Sequence, residues 1–266
     1  MEGAVRHDPP APPGAPPPEV VHRIHDRFLH EVVEQLGLCP FARRSREQAR
    51  VHRPLCYSPR PTPAEVAARL HAVVSEHPDA EIVLITFITA AASPAPGPRP
   101  GLHPQWQRAR DFDDFVKDVR PAYEPLRGPV FFMVGFHPAS GEPDPGDAPP
   151  RLTADSLVPL LRRTPDPVIQ CVRAQVLERV RWQAQQAAHA KMMAEAEKLD
   201  PRLRRILEHS VQPDSSLSAD IARKNFETVA HGEGRQRLEA LLADITRERD
   251  QAYAPSWAAS ISTNGR

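Results

Sequence analysis

The chain has 266 residues, enough for one sizeable domain with extensions or for two small ones. Its 34 basic and 34 acidic residues cancel, so no whole-molecule field draws it to nucleic acid or to an anionic membrane surface. Three cysteines without paired spacing argue against a disulfide framework, and the longest apolar run, Ile82 to Ile88, is far too short to span a bilayer.

No basic-then-apolar leader opens the sequence, so a cytoplasmic protein is expected. The 32 prolines imply less ordered chain than the length suggests. Residues 1–18, mostly Pro, Ala and Gly, are expected to be a disordered tail. From Glu19, Val20, Ile24, Phe28, Val32 and Leu36 recur at helical spacing, and Gly37 supplies a stop. Arg50 to Tyr57 alternates weakly around Pro54, which lacks the N–H that a central strand needs, so it predicts an edge strand.

Thr62-Pro63-Ala64-Glu65 is a capping box with proline in the first turn, opening a helix to about His77. Glu81 to Ile88 is an apolar, β-branched run of the kind covered on both faces of a sheet. Residues 90–110 are too long and too rich in Pro, Gly and Ala for an ordinary connection, and predict an insertion or lid. Asp111 can cap a helix that buries Phe112, Phe115, Val116 and Val119 and is limited by Pro121. Gly128-Pro129 then leads into a strand over Val130 to Phe136. Helix and strand alternate, as expected of an α/β (or α+β) fold with helices packed on a small, mainly parallel sheet of three or more strands.

Ser156 to Leu161 predicts a short helix broken at Pro159. A longer helix is expected from Thr164, carrying Val168, Ile169, Val172, Val176 and Val180 inward. Further helices are expected near residues 201–210, 218–230 and 234–251, with fraying from Pro255. The implied organisation is a core domain over 19–198, a helical extension over 199–254 and a tail over 255–266.

Several residues could carry chemistry. His137 directly follows a strand, where ligands of parallel sheets gather, and an imidazole there can shuttle a proton. It reads equally as a turn histidine bonded to a nearby carbonyl. Cys39 follows a helix C-terminus, where the dipole disfavours a thiolate; His137 or Arg163 close by would reverse that, and otherwise it is a small buried hydrophobe. Its Cys-Pro dipeptide is also compatible with haem, though no cofactor is called for. Arg162, Arg163, Thr164 and Asp166, at an expected helix start, form a cradle for a carboxylate or phosphate unless Asp166 already satisfies that end.

His22, His25 and His30 lack four-ligand metal spacing and read as a solvated helix face, so no metal is expected. Cys56 and Cys171 read as packing residues. The Arg202, Arg204, Arg205 group reads as a solvated patch rather than a nucleic-acid site.

Three stretches carry a resemblance: Gly37-Leu38-Cys39-Pro40-Phe41-Ala42, Asp111-Phe112-Asp113-Asp114-Phe115, and Gly135-Phe136-His137-Pro138 followed by Arg163-Thr164-Pro165-Asp166-Pro167. In order and spacing the segment from about Val20 to Val180 resembles the bacterial domain of unknown function 1415 family. The resemblance implies a compact α/β domain and no particular activity. The chain departs from that pattern by the insertion after Ile88, by the extension beyond Lys198, and by Asp166 where the family tends to carry an aromatic.

The expected function is binding of a small anionic metabolite, with Arg162 and Arg163 holding the anion, His137 as acid or base, and Cys39 lining the pocket or attacking. Enzyme and sensor both fit. The competing expectation is an interaction protein whose C-terminal helices dock a partner or a second copy.

Overall fold

The structure is a computed structural model that describes residues 8–39, 41–90, 103, 105–142, 160–196, 225–229 and 233–263. Its centre is a five-stranded sheet of β1 (Val51–His52), β2 (Leu55–Cys56), β3 (Ile82–Phe87), β4 (Phe131–Phe136) and β5 (Val168–Arg173), in the order β1-β3-β5-β4. β1 and β2 both pair parallel to β3, at Val51↔Ile82 and Leu55↔Thr86, as two halves of one edge strand. The break between them falls at Pro54, which has no N–H for the ladder but accepts from the Thr86 N–H through its carbonyl.

β5 lies between β3 and β4 and is antiparallel to both. The other strands therefore share one direction, and the sheet is mixed rather than mainly parallel. The helix expected from Thr164 is absent. Val168 to Val172 fits a helical stripe and a doubly covered strand equally well, and tertiary pairing on both edges decides for the strand. Pro165 and Pro167 also push the residues before them out of helical geometry. The helix begins only at Ala174, as α5 (Ala174–Ala196) (α1 to α4 are given below).

Strand alternation sorts the two faces of the sheet. Val83, Ile85 and Phe87 join Ile169, Cys171 and Met133 beneath α3 (Pro63–Glu76) and α4 (Ala109–Tyr123). Thr62 and Glu65 form the capping box that opens α3. At α4 the N-cap is Arg108 rather than Asp111, whose carboxylate instead takes Arg108 at 2.7 and 3.0 Å. Pro121 sits inside α4, which runs on to Tyr123. The expected insertion lies partly outside the described residues, but Trp106 within it is buried against Phe87, Phe112 and Phe115.

The opposite face carries Ile82, Leu84, Thr86, Val168, Gln170 and Val172. Above it stand α1 (Pro18–Phe28), a π-helical turn (Leu29–Glu34) and the short α2 (Ala42–Glu47). The helical C-terminal region packs here too: α6 (Gly234–Thr263) buries Leu238, Leu242, Ile245 and Tyr253 against Val21, Ile24, Phe28 and Val32. Helix continues through Pro255, so the fraying expected there does not begin by Thr263. Residues 225–229 are helical, while the helices expected over 201–210 and most of 218–224 lie outside the described residues.

The proline-rich segment is anchored from Asp8 onward. The Asp8 carboxylate takes the His22 ring at 2.5 Å and the Leu55 N–H at 3.2 Å, and the Tyr57 hydroxyl donates to the Pro16 carbonyl at 3.0 Å. A proline-rich segment needs no ladder of its own to be held by such points, so the expected disordered tail does not extend to residues 8–18. Residues 1–7 lie outside the described residues.

Candidate functional site

A cavity of about 140 Å³ lies between the second face of the sheet and its helical roof. Its floor is made by Ile82, Leu84 and Thr86 of β3 with Val168 and Gln170 of β5. The roof comes from α1 and the π-helical turn, where the Leu38 N–H bonds back five residues to the Val33 carbonyl. Such widened turns recur at functional sites.

One end of the cavity is polar. Thr86 is only 3 % exposed, yet neither its hydroxyl nor the Gln170 amide makes a side-chain hydrogen bond to another described residue. The hydroxyl opens on the cavity and is not one of the fully buried unpaired polar atoms. His22 and His25 face the same end, each with its Nε2 held by a carboxylate: Asp8 at 2.5 Å and Asp166 at 3.1 Å. A carboxylate at Nε2 keeps the proton there and leaves Nδ1 as the other working position of the ring.

Behind His25 stands a buried network. Asp166 is 1 % exposed; its Oδ1 accepts from Arg249 Nε and Nη2 at 3.1 and 2.7 Å, and its Oδ2 from the Tyr253 hydroxyl at 2.9 Å. Burial alone would raise the Asp166 carboxyl, but the Arg249 charge and the His25 bond outweigh it and hold the group at about 2. Burial works against the Arg249 charge too, and Asp166 more than restores it. The guanidinium also lies over the Tyr253 and Trp257 rings, at 4.8 and 5.3 Å. The network ties α6 to α1 and to the loop entering β5.

The residues singled out in the sequence divide. Cys39 and Thr164 line the cavity, and Asp166 orients one of its histidines. Cys39 stands at the opposite end from His25, packed against Phe41, Ile82 and Val172. Burial lifts its thiol above the ordinary range, with the Phe41 and Ala42 N–H groups offsetting part of the rise.

His137 is elsewhere, fully buried. Its Nδ1 accepts from the Ala139 N–H at 3.1 Å, so Nε2 carries the proton and donates to the Trp106 carbonyl at 3.2 Å. Both nitrogens are engaged in holding the turn after β4. Arg163 donates through Nε to the Ser140 carbonyl at 2.7 Å and, with Thr164, borders a separate hollow of about 530 Å³ against α6. Arg162 lies 4.0 Å from Asp113. No helix starts at Thr164, whose hydroxyl instead donates to the Asp166 carbonyl at 2.7 Å, so the expected cradle of helix N–H groups does not form. The imidazole, thiol and guanidinium expected to converge therefore do not: the cavity holds the thiol with a different pair of imidazoles and with Glu34, Arg46 and Arg53.

His22 and His25, expected on a solvated face, are buried instead. The signal was there: His25 falls between Ile24 and Phe28 on the apolar stripe of α1. Thr86 and Gln170 were visible only as polar interruptions of apolar strands. Arg249 and Tyr253 carried no local signal. Among the described residues no group of three or more His, Cys, Asp or Glu side chains is placed to hold a metal ion. No described helix is long and apolar enough to cross a membrane.

Fold and cavity together define an α/β protein with a small, polar-ended internal site. No protein-family model, curated protein or solved structure matches the chain.

Proposed function

We propose that this chain binds a small anionic molecule, carboxylate or phosphate, in the cavity between β3, β5 and α1. The observation that carries the reading is that Thr86 and Gln170, whose side chains bond no other described residue, line the same cavity as His22 and His25. Thr86 and the Gln170 amide can donate to an anion; a ring whose proton sits on Nε2 donates through Nδ1 only when it takes up a second proton. Asp8 and Asp166 are already engaged elsewhere, so they stiffen the histidines without confronting the ligand. This assignment moves the anion from Arg162 and Arg163 to the histidines of α1. Cys39 becomes a wall of the site, since its raised thiol and its distance from His25 disfavour nucleophilic attack. The resemblance to the domain of unknown function 1415 family adds the expectation of an α/β domain and nothing about the ligand.

The test is a thermal-shift screen of carboxylated and phosphorylated metabolites against the natural chain and Thr86→Val. Ligand-induced stabilisation should be lost in the variant while its unliganded melting temperature stays within a few degrees. Equal stabilisation of both proteins would refute the assignment.

A second reading rests on Trp182 of α5, 60 % exposed, and on Val130 and Phe132 beside and within edge strand β4, which are also exposed. Large apolar groups in water favour docking of a protein partner or of a second copy. A molar mass by light scattering that falls to the monomer in Trp182→Gln would support it, and a monomer at all concentrations would remove self-association.

A further inference from the structure

On the other face of the sheet, α3, the end of α4 and the last residue of β5 bring together buried polar atoms that no protein group bonds. They are Nε and Nη2 of Arg173, the Tyr123 hydroxyl and Nδ1 of His71. Arg173 closes β5 opposite Phe131 in the ladder, with its guanidinium carbon 6.0 Å from the centre of that ring. Tyr123, the last residue of α4, meets the same ring edge-on at 6.0 Å. Gly128 lets Tyr123 and His71 approach one point: a Cβ there would strike the tyrosine hydroxyl and come within 3.4 Å of the His71 nitrogen.

The two Arg173 nitrogens are the informative pair. Nε and Nη2 share one edge of the guanidinium, and their N–H bonds run parallel, matched to two oxygens of a carboxylate or a phosphate. The protein uses this same edge elsewhere to grip carboxylates, with Arg46 on Glu34 at 2.6 and 3.0 Å and Arg108 on Asp111 at 3.0 and 2.7 Å. At Arg173 the edge is buried, and no carboxylate among the described residues pairs with it. Glu81, whose carbonyl takes the Arg173 N–H, gives its carboxylate to Ser45, Arg50 and Arg179 at 2.7 and 2.8 Å.

A buried charge without a counter-charge is costly, and an anion relieves it. The neighbouring groups suit one. Burial pushes the Tyr123 hydroxyl up to about 12, with Arg173 offsetting part of the rise, so it keeps its proton and can donate. No carboxylate of the described residues is among the groups acting on it. His71 donates when its proton is on Nδ1, and no described residue holds its ring to the other tautomer.

We propose that this patch is a second ligand site, where the Nε–Nη2 edge of Arg173 takes two oxygens of one carboxylate or phosphoryl group. Tyr123 and His71 donate to the same group. The site shares no residue with the cavity across the sheet. Arg173 is only partly buried, and Nη1 is not among its sealed atoms, so the guanidinium reaches from the patch toward the surface and the anion approaches along it.

The experiment follows the Arg173 Nε–H by nuclear magnetic resonance in the full chain, its signal identified by its loss in Arg173→Met. Phosphate and formate are each titrated against chloride at constant ionic strength. Either anion should move this signal along a saturating curve and slow its exchange with solvent. A response to formate alone assigns a carboxylate ligand, and a response to phosphate alone a phosphoryl group.

Melting temperatures supply the second readout. The anion-dependent gain should persist in Thr86→Val and vanish when Arg173→Met is added to it. Tyr123→Phe removes a hydroxyl that has no protein partner to lose. It should weaken binding about tenfold without lowering the unliganded melting temperature. An Arg173 signal indifferent to both anions would overturn the site, as would equal gains in Thr86→Val and the double variant. A large loss of unliganded stability in Tyr123→Phe would mark the hydroxyl as structural and overturn it too. Loss of the gain in Thr86→Val alone, with the Arg173 signal unmoved, would leave the cavity as the anion site and remove this one.

Discussion

Replacing Arg249 by Met removes the guanidinium that two hydrogen bonds hold against Asp166, and tests whether that network fastens the C-terminal helix to α1. Asp166 is fully buried, and its carboxyl stands at about 2 against an ordinary 3.8. The difference corresponds to a preference on the order of 2 kcal/mol for the ionised form in the folded state. Arg249→Met leaves that charge with only His25 and Tyr253, and losing one partner of a buried pair costs about 3–5 kcal/mol. Asp166→Leu leaves the guanidinium with Asp250 as its remaining carboxylate partner, so its loss should be the smaller of the two. The double variant, with neither charge, should recover most of the loss.

Urea unfolding of the four proteins, followed by circular dichroism at pH 7, gives the coupling directly, and we expect at least about 2 kcal/mol. The pH dependence supplies an independent check. Because the folded carboxyl is depressed, its contribution is complete above the unfolded value near 3.8 and is lost as pH falls through about 2. The urea midpoint of the natural chain should therefore drop between about pH 4 and pH 2, and that drop should shrink in Arg249→Met. A coupling below about 0.5 kcal/mol would refute the assignment of the network as a fastening.

Other consequences are equally direct. His137→Ala should lower stability by about 2–3 kcal/mol, since it strands the buried Trp106 carbonyl and the Ala139 N–H; an unchanged melting temperature would contradict this. Asp8→Ala should cost about 1–2 kcal/mol in urea unfolding, because His22 and the Leu55 N–H lose their acceptor, and no change would mean the anchor is not held in solution. Gly128→Ala drives a Cβ into the Tyr123 hydroxyl and to 2.7 Å from the ring carbon that bears it, so it should destabilise by about 1–3 kcal/mol, measured the same way.

The parts of the fold that sequence made legible are those whose signal is local. The Thr62–Glu65 capping box, the Pro54 interruption of the edge strand and the apolar run of β3 each declare themselves within a few residues. Val168 to Val172 did not, because a buried strand and a buried helical stripe share the same letters, and only pairing to β3 and β4 separates them.

The site was half legible for a related reason. Cys39 and Asp166 stood out as chemistry-bearing types in unusual settings. The histidines that accompany them were discounted because burial of α1 depends on α6, more than two hundred residues later in the chain. His137 attracted notice by its place after a strand, and its burial shows that it serves the turn.

That dependence of α1 on α6 bears on synthesis. About 217 residues separate Phe28 from its neighbour Ile245, and ribosomes add roughly 5–20 residues per second, so the first helix waits on the order of 10–40 s for its cover. Throughout that interval the nascent polypeptide carries an open oily seam along α1. Chaperone capture before termination, and sensitivity to any stall late in translation, are what such a chain would invite.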